Sequence, residues 1–374
     1  MKRLMALVML MLMLLLPALA CAQGLDAGLE QALGQVDLAP LETAAREDNL
    51  RVYLLRLAKG EMIWDARQVL DTLLRRLYGE ARSSFSRMMG LLAPALLASA
   101  AGLLGGKRKD VTRIAESACF LALAATIAAD MQLYLHEAEQ TVSRMAEMMQ
   151  ALFPILLTLL AAVGGSHGAA LLEPAVSAAS GIVTALVRGV SLRLSTGVAV
   201  VTLLDHLSPR MRLSRLAGLL RTASNWLLGV AFTVFLGVTS LQGLTASAAD
   251  GISIRAAKYA VDNFVPVVGG MFADTMDTLV GCSLLIKNAV GVTGLALLLS
   301  AAAVPMIRTL CAVMTYRLCA ALLQPVSPSR TADLLQGFSD ALMLLFIIQL
   351  SVSAMFVLLV AQVLAVGNGT VGLR

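Results

Sequence analysis

The sequence predicts an all-α, polytopic membrane protein with about seven transmembrane helices, six to eight being defensible, behind a cleavable N-terminal signal peptide. Three observations predict it. Of the 374 residues, 58% are hydrophobic and only 14% are charged, against about a quarter charged in an ordinary globular chain. Mean hydropathy is +0.81, so polar side chains are too few to cover a water-facing surface. Long uncharged blocks alternate with short arginine-rich turns, the pattern of spans separated by cytoplasmic loops.

The first element is the signal. Lys2 and Arg3 precede an apolar run from Leu4 to Leu16, and Ala18-x-Ala20 follows Pro17. This n, h and c layout places cleavage before Cys21 and assigns residues 1–20 to a signal peptide. An apolar core of about 13 residues is too short to span a bilayer comfortably at ~1.5 Å per residue. Cys21 leaves a lipoprotein signal open, although Ala18 stands where such a signal usually has Leu. Residues 21–87 are densely charged with both signs and carry leucines at helical spacing, among them Leu50, Leu54, Leu57, Leu70, Leu73, Leu74 and Leu77. They read as a small helical extracytoplasmic region.

A multi-span domain is expected from 88 to 374. Residues 88–106 carry no charge and Lys107, Arg108, Lys109 and Arg113 follow at once, which places the far end of this first span in the cytoplasm. A second span is expected at 114–130, with 131–150 lying outside as an amphipathic helix. Apolar blocks at 151–168, 169–187 and 190–207 predict two or three crossings, interrupted by Arg188 and Arg193. Gly164, Gly165 and Gly168 could support a turn or close packing. Arg210, Arg212, Arg215 and Arg221 form a second cytoplasmic turn. Further spans are expected at 222–249, 289–307 and 338–366. Residues 310–324 are ambiguous between a short span and an interfacial helix, because Arg317 interrupts them and Pro325 and Pro328 follow.

Composition and motifs argue against several function classes. The formal net charge of +5 reads as cytoplasmic loops, and no basic run is interleaved with aromatics, so nucleic-acid binding is not expected. The five cysteines, Cys21, Cys119, Cys282, Cys311 and Cys319, have neither zinc-site nor disulfide-framework spacing. His136-Glu137 lacks the second histidine of H-E-x-x-H, and Gly164-Gly165-Ser166-His167 lacks the last glycine of a G-x-S-G site. No phosphate loop occurs. The chain is expected to be no enzyme and to use no cofactor or metal, so any energy source is a partner or a gradient.

The informative segment is Tyr259 to Gly294, where membrane-grade hydrophobicity coexists with Asp262, Asp274, Asp277, Lys287 and Asn288. A carboxylate at a helix centre costs roughly 2.5–3.5 kcal/mol on insertion, so these groups are expected to avoid lipid. Gly270, Asp274, Asp277, Gly281, Leu284, Asn288 and Gly291 step alternately by four and three, which is one stripe of a helix. A continuous helix would carry that stripe across about 30 Å. Pro266, Gly269 and Gly270 favour a broken or re-entrant entry. Two readings of the stripe stand open. In one it lines a path for solutes or protons, or meets a partner; in the other it is a glycine packing seam whose carboxylates pair internally with Lys287 or an arginine.

The run from Phe264 to Met271, followed by Asp274, Asp277-Thr278, Gly281-Cys282-Ser283 and Lys287-Asn288-Ala289-Val290-Gly291, closely resembles the stage III sporulation protein AE family. The signal peptide, the length and the multi-span layout fit that family as well. The resemblance implies a channel or export-apparatus subunit in the mother-cell membrane around the forespore, required for endospore formation and late forespore gene expression. It implies as partners the other stage III sporulation A-operon proteins, including an ATPase, and, across the intermembrane space, stage II sporulation protein Q. On that reading Asp274, Asp277, Lys287 and Asn288 share a buried polar face. A stand-alone small-solute permease and a non-conducting assembly scaffold are the alternatives.

Overall fold

The computed structural model describes residues 39–45, 54, 66–104, 109–163, 165–207, 213–264, 269–325 and 329–372. The expected signal peptide, Cys21 and Pro266 lie outside the described residues. Among those described, every regular element is helical: α1 (Ala39–Ala45), α2 (Ala66–Leu104), α3 (Lys109–Ala162), α4 (Ser166–Leu186), a π-helical turn (Val187–Ser191), α5 (Leu192–Leu207), α6 (Ser214–Phe264), α7 (Gly269–Leu323) and α8 (Ser329–Gly372).

Five stretches of these helices are long and apolar enough to cross a membrane: Ser117–Ala162, Gly168–Leu207, Ser214–Gly243, Gly281–Leu323 and Thr331–Val366. The expected count of about seven is not reached among the described residues, because the chain does not break where polar residues suggested it would. Residues 131–150, expected outside as a separate amphipathic helix, are instead the middle of α3. They bury Tyr134, Ala138, Val142, Met145 and Met149 against the rest of the bundle. The ambiguous segment 310–324 likewise continues α7 as far as Leu323 instead of forming a span of its own. Backbone hydrogen bonding within a helix does not depend on the side chains, so a polar stretch with neighbours to pack on need not end one.

The breaks that do occur have local causes. Between α3 and α4 the chain turns through Val163 and Gly165, with the Gly165 amide donating to the Leu160 carbonyl at 3.0 Å. A Cβ at Gly165 would press on the Leu160 side chain and carbonyl, so the close return needs glycine. Arg188 and Gly189 interrupt the apolar block without ending it, and the chain takes one π turn and continues. At the start of α6 the Asp205 carboxylate accepts from the backbone amides of Leu213 and Ser214, the latter at 3.1 Å. A carboxylate there satisfies orphan donors and complements the positive helix end.

The core is organised around α8. Thr331–Val366 is the most buried of the five apolar stretches and Ser214–Gly243 the least. α7 makes the largest contact with α8, and α3, α5 and α6 pack round them. On α6, Trp226, Val230, Val234, Val238 and Leu241 are exposed, an apolar face of the kind that lipid covers.

Candidate polar sites of the helix bundle

All seven stripe positions from Gly270 to Gly291 lie on one continuous helix, α7. Gly269 is its first residue, and Pro266 falls in the interval after Phe264, where α6 ends. The side-chain surroundings of Gly270, Asp274 and Asp277 lie outside the described residues; from Gly281 on the stripe can be followed atom by atom. Gly281 is half-buried and a Cβ there would meet open space. Lys287 is fully buried, and its Nζ donates to the backbone carbonyl of Leu364 on α8 at 3.0 Å. Asn288 is half-buried, with a buried Oδ1 that has no hydrogen-bond partner. Gly291 and Gly294 are buried, and a Cβ at either would overlap Leu364 or Leu152 respectively.

The stripe therefore changes character along its length. From Gly291 onward it is a packing seam in which small residues let α7 approach α8 and α3 closely. One turn earlier it holds a buried cation and an unsatisfied amide oxygen, groups that are costly in an apolar interior. Among the described residues no carboxylate pairs with Lys287; its partner there is a carbonyl.

A second polar system, which the sequence reading did not bring together, lies toward the C-terminal end of α7. Arg308 donates from Nε and Nη2 to Glu80 Oε1 of α2, at 3.2 and 3.1 Å, and from Nη1 to Glu137 of α3. Three helices far apart in sequence are thus joined through one guanidinium, whose planar fork suits two carboxylates at once. Beside it Thr309 donates to Gln349 Oε1 of α8 at 3.3 Å. The Tyr316 hydroxyl donates to Asp130, and Arg87 donates to the Tyr134 hydroxyl while its guanidinium lies 5.8 Å from that ring's centre.

Roughly 14 Å further along α7, at the helical rise, Arg317 donates to Ser339 Oγ at 3.2 Å and to Asp340 at 3.5 Å. Asp340 also accepts from Arg221 of α6 at 2.9 Å. This triad ties the N-terminal parts of α6 and α8 to the C-terminal part of α7.

The signal for both clusters was present in the sequence as single charges in apolar helices, Glu137, Arg308 and Asp340, but the pairing spans 171 and 228 residues for Arg308 alone. No local periodicity encodes such a pairing. Among the described residues no group of three His, Cys, Asp or Glu side chains could hold a metal ion, and the four described cysteines are unpaired thiols.

Comparison with known proteins gives two positive findings. The family model described as Stage III sporulation protein AE matches residues 49–367. Stage III sporulation protein AE of Bacillus subtilis (strain 168) is 30% identical over 323 residues, an alignment covering 86% of this chain and 81% of that protein. No solved structure matches.

Proposed function

The chain belongs to the stage III sporulation protein AE family, and from that premise we propose that it is a non-enzymatic channel or export-apparatus subunit built into the mother-cell membrane around the forespore. Family membership establishes a role in sporulation, and the five apolar stretches make it a membrane protein. The proposed partners are the other stage III sporulation A-operon proteins, including their ATPase, with stage II sporulation protein Q engaged indirectly across the intermembrane space.

The observation that carries the reading is the placement of charge along α7. Lys287 is fully enclosed at one level and Arg308 is clamped by two carboxylates at another, in a stretch otherwise apolar enough to cross a bilayer. Replacing a buried ion pair by apolar residues is often neutral or stabilising, so stability alone is a weak reason to keep such groups. Ionisable groups inside membrane helices face the bundle or a cavity and mark paths for ions, protons or solutes.

The alternative of a non-conducting scaffold draws on Gly291 and Gly294, whose role is close helix packing. Asp274→Asn and Asp277→Asn, separately and together, distinguish the two in cells whose own copy is deleted. Lost forespore gene expression with normal complex assembly supports a path; lost assembly supports a scaffold. Full function in the double variant would remove the stripe from the account. Solute movement by the purified chain alone in liposomes would point instead to a permease.

A further inference from the structure

Arg188 lies within the π turn and Arg193 two residues after it; both are exposed, and among the described residues neither makes an ion pair or hydrogen bond. They lie inside an apolar belt: Leu171 and Ile182 before them and Val200 and Leu204 after them are exposed on the same run of helix. Their depth follows from the packing of α5. A Cβ at Gly337 would overlap Thr202, so Thr202 lies level with the third turn of α8, three residues before Asp340. Arg193 and Arg188 stand roughly 14 and 21 Å further into the bundle from that point. Two unpaired guanidiniums among lipid-facing side chains are not a stable end state, because ionised groups at such depth pair or line water.

Both arginines line a groove of about 530 Å³ between α3 and the α4–α5 helix, together with Glu139, Gln150, Gly181 and Gly189. The groove thus carries two positive charges against one negative. Along α4 and into the π turn Gly181, Ala185 and Gly189 step by four residues, and a Cβ at either glycine would meet nothing within 4 Å. That surface admits the backbone of another helix.

We propose that this groove receives a membrane-spanning helix of another protein that carries a carboxylate at the depth of Arg188 and Arg193. The unbalanced charge requires an acidic occupant, and the small residues beside it accept a helical one. A second copy of this chain fits less well: two grooves face to face would set four guanidiniums against two carboxylates. A phospholipid phosphate belongs at the headgroup level, whereas exposed apolar side chains bracket these arginines on both sides.

The inference rests on the membrane reading but not on conduction, and a binding measurement separates the two. The full-length chain in phosphatidylcholine vesicles is titrated with a labelled leucine-alanine spanning peptide of about 25 residues, bearing either one central Glu or one central Gln. Energy transfer between peptide and protein reports binding. The Glu peptide is expected to bind about tenfold more tightly. The preference should vanish in Arg188→Gln/Arg193→Gln and persist in large part in Arg188→Lys/Arg193→Lys. Equal binding of the two peptides overturns the proposal. So does loss of the preference on adding phosphatidylglycerol, which assigns the groove to lipid, or self-association that the glutamine substitutions abolish, which assigns it to a second copy. Should the double variant fail to fold, a central Lys peptide tested on the unaltered chain decides the matter, since it must bind more weakly than the Gln peptide.

Discussion

Lys287 and Leu364 meet twice over: the Lys287 ammonium donates to the Leu364 carbonyl at 3.0 Å, while the Leu364 side chain fills the space left by Gly291 one turn further along α7. At this level of the bundle one residue of α8 thus supplies both a polar and an apolar contact to α7.

Lys287→Met keeps the length of the side chain and removes a buried charge. Stability to denaturant in detergent is expected to hold or to rise, because enclosing an ammonium against a single carbonyl costs more than enclosing a thioether. Spore formation in a deletion strain should fall although the protein is present at normal level. A Met variant that sporulates normally would leave the lysine without a functional role.

Gly291→Ala forces a methyl group into Leu364 and should cost about 1–3 kcal/mol through overpacking. Gly281→Ala, on the same helix face with open space around it, should stay within about 0.5 kcal/mol of the parent. Equal losses at the two positions would contradict the division of the stripe into a packed and an open part.

Arg308→Gln leaves Glu80 and Glu137 facing each other without their cation. The Arg308 side chain is about one-third exposed, so the expected loss is about 1–3 kcal/mol, below that of a fully buried pair. Adding Glu80→Gln and Glu137→Gln to this variant should recover part of it. A triple variant no more stable than Arg308→Gln would show that the ion pairs do not govern the loss.

Reporter fusions after positions 109, 215 and 330 are expected to report the cytoplasm in all three cases. Charge bias predicts it, and the packing is consistent: Asp340 joins Arg221 and Arg317 at one end of the bundle, and Tyr316 reaches Asp130 on the side of α3 nearer its start. Opposite locations for 215 and 330 would contradict the structure as well as the charge rule.

How much of this was legible in the sequence depended on whether the signal was local. Helical character, membrane-grade hydrophobicity and the stripe from Gly270 to Gly291 are periodic features, and the continuous helix α7 carries all of the stripe. The turn at Gly165 was also within reach, since glycines there were read as turn or packing residues. Span boundaries were not. In the sequence the polar stretch 131–150, which holds Glu137, reads as lying outside and a span ends at 307, just before Arg308, whereas in the bundle these two charges pair and the helices run on through them. The groove at Arg188 and Arg193 was equally hidden, because the two arginines appeared only as a weak boundary and the α3 wall opposite them is about forty to fifty residues earlier in the chain.

Asp340 answers to two arginines, one from α6 and one from α7, while itself belonging to α8. Its negative charge is what lets two positive neighbours stand side by side, so neutralising it would turn a clasp into a repulsion between them. The three helix ends are therefore tied by a common knot, and no one of them can swing away from the others without loosening the rest.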